Sequence, residues 1–489
     1  MINELVSTYF RSNSIVNQQL SSFNSFIEKG MQLAIDRVGT IQTNVEGFEL
    51  KLGKIRVEQP RYYEVRGGYR AILPQEARLR NITYASPVFL EIIPVFNGVE
   101  RPTYSDVFIG EIPVMIKSKL CYLSGMGRKE LIDNGEDPDD PGGYFIINGS
   151  ERVLVSIEDL VPNRLMVTKE QGVVIAKIFS TYYGFRARCV VERNAEGLYS
   201  VEFPSSPPGI SLMMLLRVLG LGSDEEIKKA FSDELQVRND VILNLEEEKT
   251  KTRDDAVDAL SRKLSPGQPQ EFRLNRMESL IDNYLLPHIG ITRATRAAKA
   301  KFLIGMAERA TAVAHKKIAQ DDKDHYANKR VKLAGDLMEE LFRYAFQFLT
   351  KDLVYQVSRA DARGRRLQVH TLVRQDAMAD RIRYAMATGN WIAGQTGVSQ
   401  LLDRVSYLST ISHLRRVISP LSKKHPHFKA RDLHGSHIGK LCPNETPEGP
   451  SCSLVKNLSI MAEVSTGFED EEVLKVLKSY DVREEEKEG

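Results

Sequence analysis

The chain has 489 residues, 42% of them hydrophobic and 27% charged. This suits roughly three globular domains and excludes a collagen-like, disulfide-rich or wholly disordered polypeptide. Lys and Arg number 67 against 65 Asp and Glu, a formal charge of +2 that excludes a uniformly basic nucleic-acid coat, so any polyanion site has to come from local clustering. No run of about 18 apolar residues offers a membrane span. The start, MINELVSTYFRSN, lacks the basic-then-apolar pattern of a secretory signal. Four cysteines in a chain of this length point to a reducing compartment.

In chain order, Ile15, Val16, Leu20, Phe23, Phe26, Ile27 and Met31 recur at helical spacing and predict a core-facing helix whose last turn Gly30 weakens. Short apolar runs follow (FELKLGKIRV, VFLEIIPVF, VFIGEIPVMI, GYFIIN, RVLVSI) and read as strands. Asn148-Gly149 supplies the positive-φ turn of a hairpin. Between them DNGEDPDDPGG lacks the alternating ladder and distal Glu of a calcium loop and reads as an exposed acidic loop. Residues 157 to about 290 look like a separate unit. The strands RLMVT, GVVIAKIFS and FRARCVVER come first, then a helix from near Ser211. A capping box, Ser223 with Glu226, opens a helix through about Leu235, and NLEEEKTKTRDDAVDAL is a solvated helical face or connector. After Pro287 two long helical patterns surround the polar insert DDKDHYANKR. A third, DAMADRIRYAMAT, ends at Gly389, and the last 21 residues are acidic.

Most of the chemistry concentrates between Arg415 and Lys440. RRVISPLSKKHPHFKARDLHGSHIGK holds seven Lys/Arg, one Asp and four of the nine histidines. Such a cluster provides phosphate contacts by displacing condensed counterions, and its prolines make it a loop. A solvated surface loop is the plain alternative. In the following CPNETPEGPS, Pro443 and Pro447 stiffen a turn carrying Glu445 and Glu448. It either holds a carboxylate near a site or is a structural turn. Asp321, Asp322, Asp324 and His325 offer ligands for a hard metal, or they cap the helix expected from about Val331. Cys442 and Cys452 with His434 and His437 could form a Cys/His site, but their spacing is poor for zinc and they read as plain reduced thiols. There is no GK[ST] phosphate loop, GxSxG elbow, HExxH or DxDxD aspartate triplet.

The stretch GVSQLLDRVSYLSTISHLRRV, followed by KARDLHGSHIGKLCPNETPEGPSCSLVKNLSIM, resembles the fork of the second-largest (B/beta-type) subunit of multisubunit DNA-dependent RNA polymerase. IVNQQLSSFNSFI, LPQEARLRNITYASP, GEIPVMIKSKLCYL, DPGGYFIINGSERVLV, DNYLLPHIG and DDKDHYANKRVKLAGDL are similar to other parts of that subunit, in the same order. YANKRVKLAGDL and ATGNW look archaeal or eukaryotic. Stopping soon after NLSIM resembles the first half, B double-prime, of the split archaeal form.

The resemblance implies an α+β, multidomain chain with strand-rich protrusion and lobe. The protrusion would be 1–156 and 290–375, the lobe 157–289, the fork 376–465 and the charged tail 466–489. It implies a subunit that lines the active-centre cleft and contacts template DNA and the RNA–DNA hybrid. Gln400, His413 and Arg416 would line the RNA, with Arg415 beside them. Lys423, Lys424 and Lys429 fall in the fork loop, Arg431 lies near the nucleic acid or incoming nucleotide, and Glu448 supports the active centre. No catalytic residue and no metal ligand would be in this chain. Mg²⁺ would be held by the largest subunit (A prime), with B prime, other polymerase subunits, DNA template and RNA transcript as partners, no membrane, and a cytoplasmic, nucleoid-associated location. The chain would be inactive alone. The alternative is a nucleic-acid-binding or scaffold paralogue without polymerase assembly.

Overall fold

The computed structural model describes residues 4, 8–10, 14–64, 68–182, 185–365, 367–465 and 470–480, and shows an α+β, multidomain chain. It divides into two compact units, Met1–Glu158 with Val331–Gly489, and Asp159–Arg330. Residues 481–489, most of the expected acidic tail's end, lie outside the described residues.

In the first unit the N-terminal helix runs Asn17–Ser25, passes through a π turn at Phe26–Gly30 and continues as Met31–Val38. It therefore does not fade at Gly30. Phe23, Phe26, Met31 and Ile35 are buried in one core with Leu337, Met338 and Phe342 of the helix Ala334–Asp361, and that burial outweighs the roughly 1 kcal/mol helix penalty of one glycine. The two helices meet closely: a Cβ at Gly335 would lie 2.0 Å from the Ser22 carbonyl oxygen. The Gly335 and Ala334 amides donate to Ser22 Oγ and Gln19 Oε1, both at 3.0 Å, which satisfies the long helix's first N–H groups. Asp336, three residues on, accepts from the Leu333 amide at 2.9 Å. The helix start thus uses Asp336 rather than the acids at 321–324, where Asp321 instead accepts from the Val167 amide and pairs with Arg309.

Antiparallel strands Thr40–Gln42, Phe48–Val57, Ala85–Phe96 and Val99–Glu100 form the main sheet, with Tyr104–Pro113 on the third of them. The hairpin Phe145–Ile147 and Ser150–Leu154 turns at Asn148 (φ 49°) and Gly149 (φ 76°), as expected of a two-residue turn needing positive φ at both positions.

The acidic loop differs from expectation. Glu136 is buried and takes both oxygens to Arg78 Nη1 at 2.9 and 2.8 Å, while Asp140 pairs with Arg404 at 2.7 Å. Glu151 joins the two arginines, at 2.9 Å to Arg78 and 2.6 Å to Arg404. Burial still pushes the Glu136 carboxyl upward despite Arg78. A composition-based reading sees only the local carboxylates, and the arginines that neutralise them are distant in sequence.

The second unit is an antiparallel meander, Met166–Glu170, Val173–Tyr182, Phe185–Arg193, Tyr199–Glu202 and Ile210–Ser211, with one face covered by helices. Ser223 and Glu226 form the expected capping box, at 3.2 and 3.3 Å. That helix ends at Ala230, not near Leu235, because Phe231 turns extended and buries its ring. The stretch 244–260, expected as a solvated helical face or connector, falls largely in the helices Leu235–Glu247 and Arg253–Leu264, and it buries Leu245, Ala256 and Leu260. The helix Arg296–Ala314 packs in this unit through Leu303, Met306 and Ala307, so the unit extends beyond residue 289.

Candidate nucleic-acid interface

The helix Asp376–Thr388 stops at Gly389 (φ 77°), where a Cβ would lie 2.5 Å from the Ser399 carbonyl oxygen. The chain then returns as the strand Ser399–Leu401, which pairs with Ser150–Leu154 so that Gln400 faces Val153. Ser406 caps the helix Tyr407–Leu414, accepting from the Ser409 amide at 3.1 Å. His413 on this helix is 4% exposed. Its Nδ1 accepts from the Asp403 amide at 3.2 Å, so the proton is on Nε2, which donates to Gln400 Oε1 at 3.0 Å. Gln400 Nε2 donates to the Gly397 carbonyl at 2.9 Å and fixes the amide's orientation. Burial, then the Arg416 charge, pushes His413 down to about 4. The histidine expected to line the RNA is thus buried and held by Gln400 and the Asp403 amide in this chain, and the Asp403 carboxylate beside it is held low, first by the Val405 amide.

This has a consequence for stability. Between pH 6.5 and 4 the unfolded chain binds a proton at position 413 that the folded chain does not. Stability is expected to fall with pH across that window by up to about 3 kcal/mol from this residue. Urea unfolding of His413→Gln should show a correspondingly weaker pH dependence there, and an identical profile in both proteins would count against a neutral His413.

Arg415 and Arg416 are adjacent, yet the fold separates their roles. Arg415 is 5% exposed and its guanidinium donates to the carbonyl of Ile15 and to those of Ser459 (2.6 Å) and Ile460 (3.2 Å). It ties the turn that precedes the helix Asn17–Ser25 to the segment at Ser459 and Ile460. Arg416 begins the strand Arg416–Ile418, is partly exposed, and among the described residues has no hydrogen-bonded or ion-paired partner. Its strand lies parallel to Ser156–Leu160 (Ser156 opposite Val417) and antiparallel to Val455–Asn457 (Val417 opposite Lys456). Beneath it Lys456 Nζ meets Glu158 Oε1 at 2.8 Å, with side chains 8% and 2% exposed.

The basic window is not loop throughout, since it contains that strand and a short helix, Phe428–Arg431. Lys423, Lys424 and Lys429 are exposed. Arg431 donates from Nε to the Pro426 carbonyl and from Nη1 to the Cys452 carbonyl, both at 2.7 Å, and so binds the fork loop to the proline-rich turn. In that turn the Ser412 hydroxyl donates to Glu445. Thr446 Oγ1 donates to the Val455 carbonyl at 3.0 Å and accepts from the Ser453 amide at 2.7 Å. Glu448 is exposed and, among the described residues, unpartnered. The turn is thus rigid through side-chain bonds as well as its prolines, and it displays one of its two glutamates. Among the described residues no group of three or more His, Cys, Asp or Glu is disposed to hold a metal ion.

Sequence reasoning missed Arg404 and Lys456, both inside quoted motifs. Their partners, Asp140, Glu151 and Glu158, are far away in the chain, so no local pattern marks them.

Comparisons with known proteins agree along the whole length. Residues 14–380 match the family model described as RNA polymerase beta subunit, and residues 400–464 match that described as RNA polymerase Rpb2, domain 3. The chain is similar to the DNA-directed RNA polymerase subunit Rpo2N of Methanococcus vannielii, 48% identical over 97% of each chain. It is also similar to the subunit of the same name in Methanocaldococcus jannaschii, 47% identical over 99% of each. Against DNA-directed RNA polymerase subunit Rpo2 of Saccharolobus solfataricus it is 46% identical, with 97% of this chain matching 42% of that one.

Proposed function

Because the chain belongs to the RNA polymerase beta subunit family, we propose that it is the N-terminal half of the second subunit of an archaeal DNA-directed RNA polymerase. In this reading it lines the active-centre cleft and contacts template DNA and the RNA–DNA hybrid. The remaining half (B prime), the largest subunit (A prime) and the other subunits complete the enzyme. The observation that carries it is a division among the fork's cations. Arg404, Arg415 and Lys456 are consumed by the fold, whereas Lys423, Lys424 and Lys429 are exposed and the partly exposed Arg416 guanidinium makes no ion pair among the described residues. Cations held on a stiff frame and left uncompensated suit phosphates, which they position by charge while releasing counterions.

The reaction is attack of an RNA 3′-hydroxyl on a nucleoside triphosphate, with release of pyrophosphate. Mg²⁺, when bound, supplies charge stabilisation to the in-line displacement. In this reading the metal-holding carboxylates belong to the largest subunit, and this chain is inactive alone. What the chain supplies is orientation, through Arg416 on its strand and the turn carrying Glu448. No helix among the described residues is long and apolar enough to cross a membrane. The proposed location is cytoplasmic, with the nucleoid.

Replacing Lys423, Lys424 and Lys429 by Gln in the assembled enzyme tests the phosphate reading. Each lysine that meets a phosphate adds about 0.7–0.9 to the slope of log affinity against log salt, so binding of a DNA–RNA scaffold should lose about 2–3 in slope. An unchanged slope would remove these lysines from the interface.

A further inference from the structure

A groove of about 900 Å³ lies in the first unit away from the basic loop, walled by the helices Ala334–Asp361 and Asp376–Thr388 and closed by the turn at Trp391. Tyr344, Phe348 and Lys351 share one face of the long helix at four- and three-residue spacing, and Arg381 and Tyr384 share one face of the other. Tyr344 packs edge-on against Phe348 with centroids 4.9 Å apart. The Arg381 guanidinium sits 3.3 Å from the Phe348 centroid, and Lys351 Nζ lies 5.8 Å from the same centroid.

Two exposed cations thus converge on one aromatic ring, and among the described residues neither has a carboxylate within ion-pair distance. A ring face attracts a cation by about 0.5–1 kcal/mol at exposed sites, and the two like charges repel one another, so the pair is incompletely compensated. The acids of the groove are partly engaged elsewhere: Asp352 with Arg374 at 3.5 Å, and Asp380 with Arg383 at 3.6 Å. Two further polar groups are unmatched. Among the described residues the indole N–H of Trp391, a residue 6% exposed, has no partner, and the buried Asp352 Oδ2 has none either. Buried donors and acceptors are normally satisfied, and each exception calls for a physical account.

We propose that this groove receives a peptide segment of another protein of the transcription assembly, one that carries an Asp or Glu beside an apolar side chain. The carboxylate meets Arg381 and Lys351, and the apolar side chain lies on Phe348, Tyr344 and Tyr384. A nucleic-acid strand fits less well, because its repeating phosphates would run past Asp352, Asp376 and Asp380, which also line the groove. A peptide with one carboxylate avoids that repulsion.

The inference rests on the polymerase reading, so the test uses a reconstituted enzyme already shown to transcribe, and a failure then falls on the groove alone. A photo-crosslinking benzoylphenylalanine is placed at position 384, and adducts are mapped in the enzyme, alone and with its purified protein transcription factors. The expected adduct is on a peptide of another protein, within a few residues of an Asp or Glu. In a Lys351→Glu, Arg381→Glu background, which alters only exposed side chains, its yield should drop at least tenfold while the melting temperature holds. Adducts confined to nucleic acid or to this chain itself, no adduct, or a yield indifferent to the charge reversal would each overturn the proposal. This chain has a single tryptophan, Trp391, so a shift of its emission when that partner is added gives a second readout. No shift on adding a partner that crosslinks would place the adduct outside the groove and overturn it as well.

Discussion

Arg416→Ala in the assembled polymerase is expected to lower the rate of elongation, or the lifetime of the elongation complex, by about 10- to 100-fold. A hydrogen bond to a charged group contributes about 1.5–3 kcal/mol, and about 1.4 kcal/mol corresponds to a factor of ten. The geometry makes this a clean experiment. Among the described residues the guanidinium has no partner whose loss would unfold the fork, so the melting temperature should stay put while activity falls. Arg416→Lys keeps the charge without the two-pronged donor geometry and should recover part of the loss. Arg415→Ala gives the contrast. It leaves four carbonyls without this donor and should lower stability first, with activity following. Wild-type elongation by Arg416→Ala would remove this residue from the site.

That contrast marks where the sequence stopped being informative. Charge clustering singled out a window but did not separate Arg415 from Arg416. Which of them faces inward depends on the strand pairing of Arg416–Ile418 with Val455–Asn457, nearly forty residues away. His413 was visible as a residue type. Its neutrality was not, because that follows from burial and from an amide at Asp403 that the fold brings to Nδ1. Elements defined by local physics were legible: the Asn148-Gly149 turn, the strand Phe48–Val57, the capping box at Ser223 and the stop at Gly389. Elements defined by distant partners were not. The acidic loop at 133–143 looks solvated until Arg78 and Arg404 are placed against it. The break after Ala230 depends on a pocket for Phe231 that no window of eleven residues contains.

The second large effect expected is on stability, at the buried pair beneath the fork strand. Glu158→Ala removes the carboxylate from a Lys456 ammonium that is 8% exposed, and breaking a buried pair from one side costs about 3–5 kcal/mol. Lys456→Met should cost a comparable amount, since it takes the ammonium from a carboxylate side chain that is 2% exposed. The double variant Glu158→Leu, Lys456→Met should cost much less than the sum of the single changes, because two apolar groups of similar volume need neither solvation nor each other's charge. Urea unfolding followed by the emission of Trp391, which belongs to the same compact unit, measures all three. The pair joins Ser156–Leu160 to Val455–Asn457 on either side of the strand that presents Arg416. The single variants should therefore also slow elongation, and the double variant should restore it along with stability. If stability returns in the double variant and elongation does not, the charges of Glu158 and Lys456 matter to the site beyond holding that strand in place.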